Sequence, residues 1–168
     1  MPKIIEDLKD KLITEAKQQI EQNGYEAVTI RSIAKGCGVG IGTVYNYFPS
    51  KDVLIATHLL EDWTTCVRSI ESVASVSQEP QPVAQCIYDQ LTAFAERHST
   101  IFRDESAAVS FAGSFSRYHT LLRNQLAAPL TRFCTNSFTA QFFAESLLTW
   151  SMAGKSFEEI YEILKKLL

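Results

Sequence analysis

Residues 27–51 combine the side-chain types that binding to a phosphate backbone requires. The segment contains three cations, Arg31, Lys35 and Lys51, and no carboxylate. The chain as a whole carries a net charge of −3, so an affinity for nucleic acid can show only as a local feature of this kind. Because carboxylates would repel phosphates, the segment predicts a surface that lies on DNA.

The spacing within this segment suggests a role for each group. Gly40 and Gly42 allow a helix backbone to approach the major groove closely. Residues 45–47 place two tyrosine hydroxyls on either side of an asparagine amide, and all three groups form hydrogen bonds with phosphates. Lys51 begins the next predicted helix, where its charge adds to the positive helix end. Arg31 can reach a guanine edge with two hydrogen bonds.

Three N-terminal helices are predicted to position these residues. Apolar side chains at near-helical spacing predict a first helix over residues 4–23. Thr29 is predicted to cap a short helix over 30–36, and a second short helix follows over about 40–48. One longer helix, two short ones and a glycine-bearing turn predict a helix-turn-helix unit over residues 1–50.

Residues 51–168 are predicted to form a second domain, a purely helical body. Neither strand-like alternation nor an internal repeat occurs, so the predicted fold class is all-α with about nine helices. Ser50 and Ser156 are predicted helix caps, and Pro129 is a predicted break. The helices predicted from the spacing cover residues 51–76, 83–97, 100–112 in shorter pieces, 116–134, 138–153 and 157–168.

The glycine-bearing turn lies in a longer pattern of fixed spacing, Thr-x-Arg-x-Ile-Ala-x-x-x-Gly-Val-x-x-Gly-Thr-x-Tyr-x-x-Phe-x-x-Lys. Its positions here are Thr29, Arg31, Ile33, Ala34, Gly38, Val39, Gly42, Thr43, Tyr45, Phe48 and Lys51. Over about residues 5–55 the chain resembles the DNA-binding domain of TetR-family transcriptional regulators. The resemblance implies a homodimer with two helix-turn-helix heads, in which 51–168 binds an effector and dimerises. It further implies repression from a palindromic operator until a small molecule binds.

The resemblance also implies roles for individual residues. Thr29 would contact a phosphate, Arg31 a base or phosphate, and Gly40, Ile41, Gly42 and Thr43 the base edges. The residues implied to hold the DNA backbone are Tyr45, Asn46, Tyr47 and Lys51. Those implied to form the small core of the unit are Ile33, Ala34, Val39, Val44 and Phe48.

Two positions depart from the family pattern. Gly40 stands where the family often has a capping serine, and glycine is a weaker cap. Ile41 stands where a polar or basic residue is common, and it can pack on a thymine methyl group but cannot form a hydrogen bond. Sequence readout would then rest on Arg31, Thr43, Asn46 and DNA shape.

The body is rich in aromatic residues, most of which are expected to form its core. By analogy with the family, a subset lines an apolar pocket for a hydrophobic effector. The candidates are Trp63, Cys66, Phe94, Phe111, Phe115, Tyr118 and Leu122.

The last two predicted helices carry more apolar side chains than one subunit can cover. The family resemblance places a four-helix dimer interface here. The candidates for it are Phe138, Phe142, Leu147, Trp150, Ile160, Ile163 and Leu164.

Other kinds of site are not predicted. The four cysteines lie far apart, without CxxC or zinc-type spacing, which predicts buried thiols in a reducing compartment and no metal site. The acidic N-terminus lacks the apolar run of a signal peptide, and no run is long enough to span a membrane, so a cytoplasmic location is expected.

Two other classes of function remain to be weighed. An enzyme is not expected, because the sequence has no phosphate-binding glycine loop, no HExxH motif and no carboxylate pair with a partner base, and no cofactor is predicted. The departures at Gly40 and Ile41 leave open a helical dimer that binds a ligand or protein but has lost DNA binding. Activation in place of repression also stays open.

Overall fold

The computed structural model describes residues 7–113 and 115–168, and the side chains of all of these except 115 and 116. Ten α-helices and two 3₁₀ segments occur in these ranges, which contain no strand, in agreement with the predicted all-α class. The helices are α1 Leu8–Asn23, α2 Ile30–Gly36, α3 Ile41–Tyr45, α4 Lys51–Val76, α5 Pro80–Arg97, α6 Ser99–Phe102, α7 Glu105–Ala112, α8 Phe115–Ala127, α9 Ser137–Met152 and α10 Phe157–Leu164. The 3₁₀ segments are Ala128–Phe133 and Lys165–Leu167.

The predicted helices are present, with differences at their ends. Helix α5 begins at Pro80 rather than at 83, because proline at the first helical turn lacks only an N–H that has no helical partner there. The predicted break at Pro129 is confirmed: α8 ends at Ala127 and the chain continues as a 3₁₀ segment. The predicted start of the first helix at residue 4 lies outside the described residues.

The predicted caps are confirmed. The Thr29 side chain accepts a hydrogen bond from the Ser32 amide, and the Ser32 hydroxyl accepts one from the Thr29 amide. Ser50 Oγ accepts from Val53 N at 3.2 Å at the start of α4. Ser156 and Glu159 form the same reciprocal box at the start of α10.

By their contacts, the helices form two compact units. The first unit comprises the described residues from 7 to 61 together with His98–Gly113. Its core contains one side of α1 and the inward residues of α2, α3 and early α4, with additions from α6 and α7. The larger core residues are Leu12, Ile20, Tyr25, Ile33, Val44, Phe48, Leu54, Ile55 and Ile101.

The second unit comprises residues 62–97 and the described residues from 115 to 168. Late α4, α5, α8, α9 and α10 supply a larger core, in which Phe157 and Tyr161 stack with their ring centroids 5.1 Å apart. The contacts therefore group 51–61 and 98–113 with the N-terminal helices, whereas the functional division at residue 50 stays a prediction. Within the described residues, none of the helices has the length and apolar character that crossing a membrane requires.

Candidate nucleic-acid interface

Helix α2 is joined to α3 by a turn that only glycine adopts without strain. Gly38 has a φ of +66°, and its amide donates to Lys35 O while the Val39 amide donates to Ala34 O at 3.0 Å. This pair of hydrogen bonds is the Schellman motif, which satisfies the last carbonyls of a helix. The turn thus ends α2 and fixes the direction in which α3 begins.

The inner side of this motif is a small apolar core. Ile33, Ala34, Val44 and Phe48 are buried, and Val39 is half-buried against the same cluster. The predicted core residues of the helix-turn-helix are therefore confirmed. Their burial holds the two short helices together, since neither is long enough to be stable alone.

The outer side carries the residues predicted to contact DNA. Those exposed to solvent are Thr29, Arg31, Gly40, Ile41, Gly42, Tyr45 and Asn46, and those half-buried are Thr43, Tyr47 and Lys51. Ile41 and Tyr45 lie four residues apart on α3 and so share one face, with 37% and 54% of their surface exposed. Direct contact of these residues with DNA stays a prediction.

The first turn of α3 has no side-chain cap. Gly40 is its N-cap residue and makes no side-chain hydrogen bond, although the Thr43 amide still donates to Gly40 O at 2.9 Å. A Cβ atom at Gly40 would come no closer than 3.8 Å to Thr43 Oγ1, and one at Gly42 would meet nothing within 4 Å. Within the described residues, packing therefore does not require a glycine at either position.

Lys51 is held against the protein by Tyr25. Its Nζ donates to Tyr25 O at 2.9 Å and lies 4.3 Å from the centroid of the Tyr25 ring. An ammonium group has three donors, so two remain for a phosphate. The Tyr25 hydroxyl in turn donates to Asp52 Oδ1. Burial, and then this hydrogen bond to a carboxylate, raise the pKa of Tyr25 above its ordinary value.

Asp104 links the turn after α1 to the start of α7. Its Oδ1 accepts from the amides of Ser106 and Ala107 at 2.9 and 3.1 Å, which caps α7. Its Oδ2 accepts from Tyr25 N at 3.2 Å. Our sequence reasoning missed both Tyr25 and Asp104. The aspartate before Glu105 is a recognisable cap, but the contact with Tyr25 spans 79 residues and leaves no local signal.

Four of the residues predicted to line an effector pocket lie together in the second unit, and a pocket there stays a prediction. Trp63 and Cys66 are buried in the core of the second unit, with Phe94 and Leu122 packed against it. Phe111 belongs instead to the first unit, where its ring lies 6.1 Å from that of Tyr25. The remaining candidates are Tyr118, which is exposed, and Phe115, whose side chain lies outside those described.

The polar groups around Trp63 are satisfied within the second unit. Trp63 Nε1 donates to Gln125 Oε1 at 2.8 Å, and its ring packs edge-on against Phe94 with centroids 5.4 Å apart. Arg97 pairs with Asp62 at 3.1 Å and donates to Cys66 Sγ at 3.4 Å. An open cavity of about 470 Å³ in this unit has none of the predicted residues in its lining, which is Glu71, Ala74, Ser75, Ala128, Pro129, Thr131 and Arg132.

The predicted dimer residues divide into two groups. Phe138, Phe142, Trp150 and Ile163 are exposed on α9 and α10. Leu147, Ile160 and Leu164 are buried in the core of the second unit. These three side chains are covered by the rest of their own subunit.

The chain matches a known family over the part that contains this motif. The family model described as bacterial regulatory proteins, tetR family, matches residues 12–57, from within α1 into α4. Residues 12–57 thus form a DNA-binding domain of the TetR family. The TetR match includes all ten predicted DNA contacts and the buried residues that support them.

Named relatives agree with this assignment. The chain is 31% identical over 52 residues to the HTH-type transcriptional regulator UidR of Escherichia coli K12, an alignment covering 31% of this chain and 26% of UidR. It is 32% identical over 96 residues to the HTH-type transcriptional repressor KstR of Rhodococcus jostii RHA1, covering 54% of this chain and 42% of KstR. The chain thus spans about a quarter to under a half of the length of these relatives.

Solved structures of TetR-family regulators share the fold over nearly the whole chain. A TetR transcription regulator from Haloarcula marismortui superposes with a TM-score of 0.61 at 16% identity, covering 97% of this chain and 95% of that one. Thermus thermophilus FadR, a TetR-family repressor in complex with lauroyl-CoA, gives a TM-score of 0.59 at 16% identity, covering 95% and 92%. At such identities the likeness shows the fold alone.

Proposed function

We propose that this TetR-family chain is a transcriptional repressor that binds a palindromic DNA operator as a homodimer and responds to a small, hydrophobic effector. The observation that carries the proposal is the outer side of α2 and α3. There the residues implied to bind DNA are exposed or half-buried, while Ile33, Ala34, Val44 and Phe48 are buried. The proposal places its action in the cytoplasm, where its DNA partner lies, and gives the chain no catalytic role.

The charges around this surface support DNA as the partner. Arg31 and Lys35 are exposed, and no carboxylate occurs between 27 and 51. The first acid after the segment, Asp52, accepts a hydrogen bond from the Tyr25 hydroxyl. This neutral donor leaves the charge of Asp52 in place, so the support for DNA comes from the cations and the lack of acids within 27–51.

The exposed aromatic residues of α9 support a homodimer. The rings of Phe138 and Phe142 are 6.5 Å apart and both are open to solvent, and Trp150 is exposed further along the same helix. A two-fold dimer would cover them and set two α3 helices at a fixed spacing. That arrangement is what a palindromic operator requires.

The repressor and effector parts of the proposal come from the relatives. KstR is named a repressor, and Thermus thermophilus FadR is a repressor seen with lauroyl-CoA. We propose the same class of behaviour here, with an apolar effector that enters the aromatic part of the second unit. Trp63 and Phe94, whose rings pack edge-on, would have to part from each other to admit it.

Selection of binding sites from a random duplex library with the purified full chain tests the proposal. We expect a palindrome bound at least about a thousandfold more tightly than random DNA, with an affinity that falls steeply with salt. Tyr45→Phe, which removes one hydroxyl, should weaken binding to all duplexes by about fivefold per half-site. Val109→Ala is the matched control, because Val109 is exposed on α7 and lies outside the predicted contacts.

One result would overturn the proposal, and a second would remove one of its predicted contacts. Weak binding without sequence preference would favour the alternative of a helical dimer that has lost DNA binding. Equal affinities for Tyr45→Phe and the unaltered chain would show that the predicted backbone contact is not made. Lys51→Ala is less informative, because it also removes the hydrogen bond to Tyr25 O.

A further inference from the structure

Ile41 is an exposed aliphatic side chain at the first position of α3. It keeps 37% of its surface in contact with solvent, whereas Val44, the other aliphatic residue of this helix, is 0% exposed. The core of the motif thus accounts for Val44 and not for Ile41. An exposed isoleucine on the surface that faces the proposed partner needs a separate explanation.

The neighbours of Ile41 leave part of its side chain open to solvent. Gly40 and Gly42 on either side have no side chains, and the space next to the Gly42 Cα is open to 4 Å. Tyr45 lies on the same face one turn later and is also exposed. The isoleucine therefore lies between two glycines, whose backbone can approach a groove closely.

The chemistry of the major groove restricts what such a side chain can contact. Base edges there present hydrogen-bond donors and acceptors, and thymine alone adds an apolar group, its C5-methyl. Isoleucine offers no hydrogen bond, so seating it over a guanine or a cytosine would bury their polar edges unpaired. Seating it over a thymine methyl removes apolar surface of both partners from water.

We propose that Ile41 is a specificity-determining residue that selects a thymine in each half-site through its C5-methyl group. The proposal rests on the proposed function, since it needs α3 to enter the major groove. Under this proposal, Ile41 recognises by van der Waals contact a base pair that a polar residue at this position would recognise by hydrogen bonds. Arg31, exposed on α2, would read a different position.

Replacement of thymine by deoxyuridine tests this directly. The exchange removes only the methyl group and leaves every hydrogen-bonding atom of the base edge. The probes are synthetic duplexes of the site selected with the full chain, each with one symmetric pair of thymines replaced. We expect one such pair whose replacement weakens binding of the unaltered protein by about fourfold per methyl group, the factor that burying one carbon group provides.

The deoxyuridine probes are combined with the protein variant Ile41→Ala, so that the base and the side chain are changed separately and together. The variant should bind the thymine duplex more weakly and should lose its sensitivity to deoxyuridine at that one pair, while keeping any sensitivity elsewhere. Val109→Ala, which shortens an exposed aliphatic residue away from the site, should retain the full discrimination, about fourfold for each of the two methyl groups. Because Ile41 is outside the core, its variant should fold, and circular dichroism checks this.

The outcomes separate this inference from the proposed function. A selected palindrome with no methyl-sensitive thymine, or with the same sensitivity in Ile41→Ala, overturns the role of Ile41 and leaves the regulator intact. A selection that yields no preferred sequence overturns both. Sensitivity that disappears only in Ile41→Ala supports the inference.

Discussion

The two compact units of this chain are built by different means. The first relies on polar and conformational devices: a capping box at Thr29, a positive-φ turn at Gly38, and hydrogen bonds from Tyr25 to Asp52 and to Asp104. The second relies on a large aromatic core. A unit held by specific polar groups at fixed spacing leaves a recognisable sequence pattern. A unit held by bulk apolar burial can exchange one large side chain for another, so it leaves little recognisable sequence pattern.

The largest expected effect separates two adjacent residues of α9. Phe143 is 0% exposed, and its ring centroid lies 6.3 Å from that of Tyr161. We expect Phe143→Ala to lower the free energy of unfolding by about 3–5 kcal/mol, through lost burial and the cavity left behind. Urea denaturation, followed by circular dichroism, measures it.

Phe142→Ala is the matched control, because Phe142 is 47% exposed on the same helix. At protein concentrations where the chain is monomeric, its stability should change by less than about 1 kcal/mol. Its effect should appear instead as a weaker dimer in sedimentation. Equal losses of stability for both variants in the monomer would contradict the described core.

The same contrast explains how far the sequence could predict the structure. In the first unit, local rules determine the caps at Thr29 and Ser50 and the glycine turn, and the predicted helices and core residues were confirmed. The contact of Asp104 with Tyr25 could not be predicted, because no local rule relates residues so distant in the chain. That contact helps bring 98–113 into the first unit.

In the second unit, the periodicity predicted the helices but not the partners of each aromatic side chain. Helical spacing shows that a residue lies on an apolar face and does not show whether that face is covered by the same subunit. Leu147 was therefore predicted at a dimer surface and lies in the core. Phe111, a predicted pocket residue, has its ring 6.1 Å from that of Tyr25 in the first unit, and the pocket stays a prediction.

Asp104→Ala should give the second-largest effect and tests the polar construction of the first unit. It removes the cap of α7 and leaves Tyr25 N without its acceptor, so we expect a loss of about 2 kcal/mol. Asp104→Asn keeps a carbonyl acceptor and should lose about half as much. Asp89→Ala is the control, since the exposed Asp89 side chain accepts a hydrogen bond from Gln85 of its own helix, and it should change stability by less than about 0.5 kcal/mol.

Denaturant unfolding combined with amide hydrogen exchange distinguishes the causes of this loss. Faster exchange at Ala107 together with Tyr25 is the expected signature, because one carboxylate serves both amides. Exchange that quickens at Ala107 alone would contradict the contact between the two segments.

Tyr25→Phe should give a smaller loss whose size depends on pH. At neutral pH the variant lacks the hydrogen bond to Asp52, and we expect a loss of about 1.5 kcal/mol. Burial raises the pKa of Tyr25 in the folded chain, so folding keeps this hydroxyl protonated. Its contribution is fully present below the ordinary tyrosine pKa of about 10 and is lost as the pH rises above that value.

The difference in stability between the unaltered chain and Tyr25→Phe should therefore be constant to about pH 9.5 and shrink above it. Unfolding curves across pH 7–11 measure it. Buried thiols whose pKa is also raised, such as those of Cys66 and Cys86, act equally in both proteins and cancel in the difference. A difference that grows with pH would contradict the buried, protonated hydroxyl.

The smallest expected effect concerns two glycines of one turn that serve different purposes. Gly40 has φ −70° and ψ 147°, which any residue can adopt, and its position at the start of α3 suits a capping serine. Gly40→Ser should therefore stabilise the chain by about 0.5 kcal/mol, whereas Gly38→Ser, at a φ of +66°, should destabilise it by about 1 kcal/mol. If Gly40 instead allows close approach to DNA, the same stabilising serine should weaken operator binding. Opposite signs for stability and affinity would show that this glycine is kept for binding, and equal signs would show that it is not.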